Sequence, residues 1–71
     1  MKNFIITIMF GQNSEYFNSN LSNNDYTTNN IEQAEGFDSK ESAEWALEKI
    51  LKPHAEKNNW QVEFSIDECQ D

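Results

Sequence analysis

The side chains with the clearest chemical pattern in this chain are carboxylates. Acids recur at every third residue in the middle of the chain, and one more follows four residues later: Glu32, Glu35, Asp38, Glu41, Glu44 and Glu48. A second acidic block near the C-terminus includes Glu63 and Asp67. DNA presents one phosphate charge per ~3.4 Å along each strand. A row of carboxylates at short, regular spacings therefore suits a basic surface that normally holds phosphates.

The net charge of the chain makes recognition of a binding partner worth considering. The chain has 13 acids, 5 lysines and no arginine, which gives a formal charge of −8 on 71 residues. The many negative charges repel one another and lower the stability of a compact state, so we expect them to serve solubility or the recognition of a partner. It argues against direct binding to DNA or RNA, because binding to phosphates requires Lys and Arg. An acidic helix face is most often a solvated surface, and that interpretation stands beside recognition.

Trp45 is the second unusual position. On a helical wheel it lies opposite Leu47 and Ile50, beside Glu41 and Glu48. Trp is enriched among binding hot spots, and a Trp ringed by acids can stack on an arginine of a basic partner. The alternative is that Trp45 folds over a polar loop and completes a small core.

Patterns for catalysis and metal binding are weak in comparison. His54 and Cys69 are the only imidazole and thiol, and they fall short of a zinc site. No acidic loop has calcium-binding spacing, and Gly11 and Gly36 form no phosphate-binding loop. We therefore expect no enzymatic activity, no metal and no cofactor.

A central strand and a helix must position the acids. Residues 3–10 alternate between two apolar faces, which predicts a strand covered on both sides. Either Asp38 or Ser39 caps the helix, with Glu41 at its third position if Asp38 is the cap. Glu41, Glu44 and Glu48 then fall within an arc of about 60°. The predicted apolar stripe on the opposite side consists of Ala43, Ala46, Leu47, Ile50, Leu51 and His54.

Pro53 should kink or end the helix, with residues 58–59 as its outer limit. A final strand is predicted over residues 60–67. Its inward side chains are Trp60, Val62, Phe64 and Ile66, and its outward ones are Gln61, Glu63, Ser65 and Asp67. Residues 67–71 are expected to be a frayed acidic tail.

Residues 11–30 hold 7 of the 10 asparagines, which is typical of a polar loop. One or two short strands are expected, either near residues 15–18 or near residues 27–35. The whole chain is then a single α+β domain. One helix packs on a small, mainly antiparallel three-stranded sheet in a β-β-α-β-like order with a long Asn-rich loop.

The apolar segment at residues 4–10 is too short for a signal peptide, and nothing approaches the roughly 20 apolar residues that span a bilayer. A single cysteine cannot form an internal disulfide, which fits a reducing compartment. We therefore expect a cytoplasmic protein that makes no contact with a membrane.

The run from Gly36 to Ala46 resembles the strand-to-helix junction of small phage-encoded β-β-α-β proteins, including the AP2-like DNA-binding arms of integrases. Those arms contact phosphates through Lys and Arg on the sheet. Here the outward positions of the final strand include Glu63 and Asp67, so the nucleic-acid-binding function does not carry over.

The size, acidity and layout resemble small phage anti-defence inhibitors, especially anti-CRISPR proteins and other DNA mimics. This resemblance implies a host-cytoplasmic inhibitor that presents carboxylates to the nucleic-acid-binding surface of a basic protein, such as a CRISPR effector complex. The expected partner-binding residues are Glu32, Glu35, Asp38, Glu41, Glu44, Trp45, Glu48, Glu63 and Asp67. The alternative is a small structural or assembly protein. It would form a homodimer through the second apolar face of the first strand, with acidity serving only solubility.

Overall fold

Four strands and one interrupted helix lie within residues 3–19 and 26–68, which are the residues that this computed structural model describes. The first three strands are β1 (Phe4–Phe10), β2 (Asn13–Phe17) and β3 (Thr27–Thr28). A 3-10 turn at Ile31–Gln33 leads to helix α1 (Lys40–Ala46), a π-helical turn (Leu47–Leu51), helix α2 (Lys52–Lys57) and strand β4 (Glu63–Glu68). The centre of the Asn-rich loop, residues 20–25, and the last three residues of the predicted tail lie outside this description.

The sheet is antiparallel throughout and has the strand order β3-β2-β1-β4. The α+β class is confirmed, but the predicted three strands are four, because both candidate segments of the loop form strands. β3 has only two residues, too few to show a period-2 pattern, and β2 begins with the polar Asn13 and Ser14. β2 thus begins two residues before the candidate segment near residues 15–18, and β3 lies at the start of the candidate segment near residues 27–35.

A tight hairpin joins β1 to β2. Phe10 pairs with Asn13 across Gly11-Gln12, and Gly11 has a φ of +61°. A positive φ at the first of two turn residues is typical of the type II′ turn, whose twist matches that of the flanking strands. Glycine adopts this conformation without strain, and the turn thereby fixes the register of β2 against β1.

β1 is central, as predicted, and it is covered on both faces. Ile6 and Ile8 are fully buried against the helix, whereas Ile5 on the opposite face is 3% exposed. Phe4 also forms an isolated bridge with Phe37, with N–H···O distances of 3.1 and 2.9 Å. This bridge attaches the segment that leads into α1 to the start of β1.

Ser39, rather than Asp38, caps the N-terminus of α1. The Ser39 Oγ atom accepts a hydrogen bond from the Ser42 backbone N–H at 3.1 Å, which satisfies one of the donors that a helix start leaves free. Glu41 is therefore at the second helical position, and the reading that put it at the third is wrong.

Pro53 does not end the helix. Proline lacks an N–H, and its ring would clash with the carbonyl of the residue four positions earlier in a regular α-helix. The turn immediately before it, Leu47–Leu51, is π-helical, and this wider turn makes room for the ring. The extra residue also shifts the buried side of α2, so that Ala55 is buried and the predicted His54 is only half-buried.

The helix ends where the sequence predicts, at residues 58–59. Asn59 has a φ of +57°, and the N–H of Trp60 donates to the carbonyl of Ala55 at 2.9 Å. The N–H of Asn59 donates to Glu56 at 3.3 Å, which completes a Schellman motif. The motif turns the chain back towards the sheet.

β4 begins at Glu63, three residues later than predicted, but the side chains that point towards the core are the expected ones. Val62, Phe64 and Ile66 pack against the core from the helix side and remain half-buried because β4 is an edge strand. Trp60 contacts Phe10 edge-to-face, with ring centroids 5.3 Å apart. The fully buried centre of the core is instead formed by Ile6, Ile8, Phe17, Ala43 and Leu51.

Candidate functional site

The most prominent polar surface lies on the helix, on the side away from the sheet. Ala43 and Ala46 are buried against the core, and this fixes the rotation of α1. The residues on the opposite side of the helix are all exposed: Glu41, Glu44, Trp45 and Glu48. We call these four residues the helix face. The structure thus brings together three of the predicted carboxylates with the predicted tryptophan.

Trp45 stands out on this face because it is 61% exposed. It borders a shallow depression together with Phe37, Ser39, Glu41 and Ser42. An indole this exposed does not complete the core, so the alternative in which Trp45 folds over the polar loop and completes a small core is not what the structure shows. Glu41 precedes Trp45 by four residues and Glu48 follows it by three, spacings at which helical side chains are neighbours.

One of the three carboxylates is paired within the chain. The Glu48 Oε1 atom lies 3.0 Å from Lys52 Nζ in an exposed i,i+4 ion pair. Pairs of this kind contribute only about 0.3–0.5 kcal/mol, so a cation of a partner can replace the lysine at little cost. Within the described part of the chain, Glu41 and Glu44 have no such partner.

The acids that precede the helix do not continue its face. Glu32 lies in the 3-10 turn, and Asp38 is exposed just before the N-cap. Glu35 is half-buried, and its Oε1 atom accepts hydrogen bonds from the backbone N–H of Ser19 at 2.8 Å and from the Ser19 hydroxyl at 2.7 Å. The three-residue spacing therefore runs through a turn, an extended segment and a helix. Glu35 stabilises the loop connection through Ser19.

The strand acids lie on the other side of the molecule. Phe64 and Ile66 face the helix, so Glu63 and Asp67 project from the opposite side, which we call the outer sheet face. Asp67 accepts hydrogen bonds there from the hydroxyls of Thr7 at 2.6 Å and Ser65 at 3.1 Å. A flat partner surface that covers the helix face cannot also contact Glu63 and Asp67. The nine predicted residues therefore do not form one site.

Phe37 lies beside Trp45 at the same depression, although the sequence pattern gives no sign of it. Its position depends on the bridge to Phe4, which is 33 residues away in the chain. Residue spacing along the chain gives no sign of such a contact. The only available indication was that Phe37 is an aromatic residue immediately before the helix start.

Within residues 3–19 and 26–68, no three His, Cys, Asp or Glu side chains are grouped so that they could hold a metal ion. None of the helices in those ranges is long and apolar enough to cross a membrane.

The chain has no match among protein-family models, curated proteins or solved structures. The case for a function therefore rests on the geometry of its own residues, above all on the helix face.

Proposed function

We propose that this protein is an acidic inhibitor that presents the helix face to the nucleic-acid-binding surface of a basic protein. The observation that supports this most directly is the 61% exposure of Trp45 on a helix with Glu41 and Glu48 on either side. Trp is among the residues most enriched in binding hot spots, and this exposure leaves its ring accessible to a partner.

In this mechanism the carboxylates of Glu41, Glu44 and Glu48 occupy positions that phosphates take in the natural complex. Trp45 stacks on an arginine or aliphatic side chain of the target, and the contact removes its ring from water. Glu32, Asp38, Glu63 and Asp67 do not contact the same surface, but they add to the field that steers a basic partner towards the chain. CRISPR effector complexes belong to the class of targets that fits, and such a target implies action in the cytoplasm of a host cell.

A competition experiment tests the proposal. The protein is immobilised, incubated with a lysate of the host and washed, and the captured proteins are challenged with a short DNA duplex. We expect the duplex to release the captured partner, because both ligands occupy the same basic surface. A partner that stays bound in excess duplex would contradict nucleic-acid mimicry.

Charge reversal then locates the contact. The triple variant Glu41→Lys, Glu44→Lys and Glu48→Lys should abolish capture of that partner. The matched control is Glu56→Lys, Glu63→Lys and Glu68→Lys, which changes the net charge equally at exposed positions outside the helix face. Equal losses in the two triple variants would show that total charge, and not the helix face, determines binding.

The alternative, a homodimer formed through the second face of β1, has less support. Ile5, the most apolar residue of that face, is already 97% covered within a single chain, as its 3% exposure shows. Met9 is the remaining apolar side chain of β1 there, and it is half-buried. Light scattering during size-exclusion chromatography provides the test, since a monomer at high concentration rules out the assembly role.

A further inference from the structure

The outer edge of β4 is the longest unpaired sheet edge in the described part of the chain. β4 pairs with β1 along its whole length, and no other described strand pairs with it. The opposite edge of the sheet is β3, which has two residues. No proline or bulge interrupts Glu63–Glu68, although these are common ways of protecting an edge.

The hydrogen bonds of Phe4 show which backbone groups of β4 point outward. The N–H and C=O of Phe4 both bond to Phe37, on the side away from β4. Phe4 and Glu68 are therefore a non-hydrogen-bonded pair, and pairs alternate along an antiparallel ladder. The N–H and C=O groups of Phe64, Ile66 and Glu68 thus point away from β1. Together they offer an added strand three donors and three acceptors.

A groove lies beside this edge, between α2 and β4. It has a volume of about 500 Å³, and its lining is part apolar, from Ala55, Trp60, Val62 and Phe64, and part polar, from Asn59 and Gln61. Lys52 and Glu56 stand at its helix side. An edge strand next to a helix, with a partly apolar groove between them, is an arrangement that can bind extended peptides by strand addition. Main-chain bonds give the affinity, and alternate side chains enter the groove.

We propose that the β4 edge and this groove bind an extended segment of a partner protein in which apolar and basic residues alternate. Side chains on one side of the added strand enter the groove over Val62 and Phe64. Those on the other side lie over the outer sheet face, where Glu63 and Asp67 favour Lys or Arg. A second copy of this chain is a poor occupant, because Glu63, Asp67 and Glu68 of each copy would meet along the joined edges. This site is distinct from the helix face and does not depend on the function proposed for it.

The first test uses a fluorescein-labelled seven-residue peptide of alternating lysine and valine, with blocked ends. Its control has the same composition, with the four lysines placed before the three valines. We expect fluorescence anisotropy to show at least tenfold tighter binding of the alternating peptide. Equal affinities would overturn the proposal, because they would show attraction by net charge alone.

N-methylated peptides provide the sharper test. In antiparallel addition, the peptide residues that bond to Phe64 and Ile66 place their side chains on the same face as these residues, which is the helix side, and the one opposite Phe64 enters the groove. N-methylation of the valines should then abolish binding, while N-methylation of the lysines should be tolerated. The reverse pattern would establish parallel addition at the same edge. Equal effects of both modifications would overturn strand addition.

Variants of the protein locate the peptide. Glu63→Gln should weaken binding of the alternating peptide roughly two- to fivefold at low salt, in keeping with one exposed ion pair. Glu44→Gln removes the same charge from the helix face and should leave the affinity unchanged, as should Trp45→Ala. Loss of peptide binding in Trp45→Ala would place the peptide on the helix face and overturn the assignment to β4.

Discussion

The two tryptophans of this chain occupy contrasting environments. Trp45 is 61% exposed, whereas Trp60 contacts the rings of Phe10 and His54 at centroid distances of 5.3 and 5.0 Å. Trp45→Ala should therefore change the free energy of unfolding by less than about 0.5 kcal/mol, and Trp60→Ala should lower it by more than about 1 kcal/mol. Denaturant titrations of the two variants measure both values. For a partner of the helix face, Trp45→Ala should cost more than ~2 kcal/mol of binding. Equal destabilisation by the two substitutions would show that Trp45 is part of the core.

Phe17 and Phe64 provide a second comparison at the residue scale. The sequence indicates Phe64 as a core residue, but the structure leaves it half-buried on the edge strand, whereas Phe17 has no exposed surface. Phe17→Ala should cost about 3–5 kcal/mol, which approaches the whole stability of so small a domain. Phe64→Ala should cost clearly less. Thermal unfolding of both variants checks the order, and a larger loss at Phe64 would contradict the observed burial.

At the scale of elements, the start of α1 depends on one hydroxyl. Ser39 Oγ accepts from the Ser42 N–H, whereas no described hydrogen bond joins the Asp38 carboxylate to the helix start. Ser39→Ala should lower the free energy of unfolding by about 0.5–2 kcal/mol. Asp38→Ala should have a smaller effect, because it removes only a charge near the positive end of the helix dipole. Chemical denaturation compares the free energies of unfolding of the two variants. A larger loss of stability in Asp38→Ala would mean that Asp38 is the cap.

The edge position of β4 has a direct consequence for amide exchange. The N–H groups of Ser65 and Asp67 point towards β1, whereas those of Phe64 and Ile66 point away from it. The rates of amide hydrogen exchange measured by NMR should therefore alternate along the strand. Exchange should be slow at residues 65 and 67 and fast at residues 64 and 66. Uniformly slow exchange would show that another segment already covers the edge. In that case the proposed peptide site would not exist.

At the scale of the whole molecule, charge determines which partners can approach. A formal charge of −8, with 5 lysines against 13 acids and no arginine, should prevent this protein from binding DNA or RNA, because its acids repel phosphates more strongly than its few lysines attract them. Gel-shift assays at low salt should show no complex with either nucleic acid at micromolar protein. The matched positive control is the DNA-binding target itself, once captured. Micromolar binding of this protein to nucleic acid would end the proposal of mimicry.

Affinity for a basic target should also depend strongly on salt. Exposed charges lose most of their interaction at high ionic strength, since the Debye length falls from ~10 Å at 0.1 M to ~3 Å at 1 M. Titrations at two salt concentrations measure this dependence. An affinity that is independent of salt, and unchanged by reversal of Glu41, Glu44 and Glu48, would leave these acids as a solvated face.

The sequence by itself determined the local features of this protein. The alternation of apolar residues in β1, the inward set of β4 and the limit of the helix at residues 58–59 all follow from neighbours in the chain. For Trp45, the helical wheel placed the side chain away from the apolar stripe, but it allowed both an exposed ring and a ring that folds over the polar loop. Periodicity reports such features well, because each depends on residues a few positions apart.

Only the tertiary structure decided which of these features lie together. The regular spacing of acids suggested one continuous surface. In the structure, Glu35 instead accepts a hydrogen bond from Ser19, and Asp67 lies on the outer sheet face, where it accepts a hydrogen bond from Thr7. That both candidate segments of the Asn-rich loop form strands, and that β4 lies at the edge of the sheet, were equally undetermined by the sequence. Each depends on pairing or packing between residues that are distant in the chain, and such contacts leave no period in the sequence.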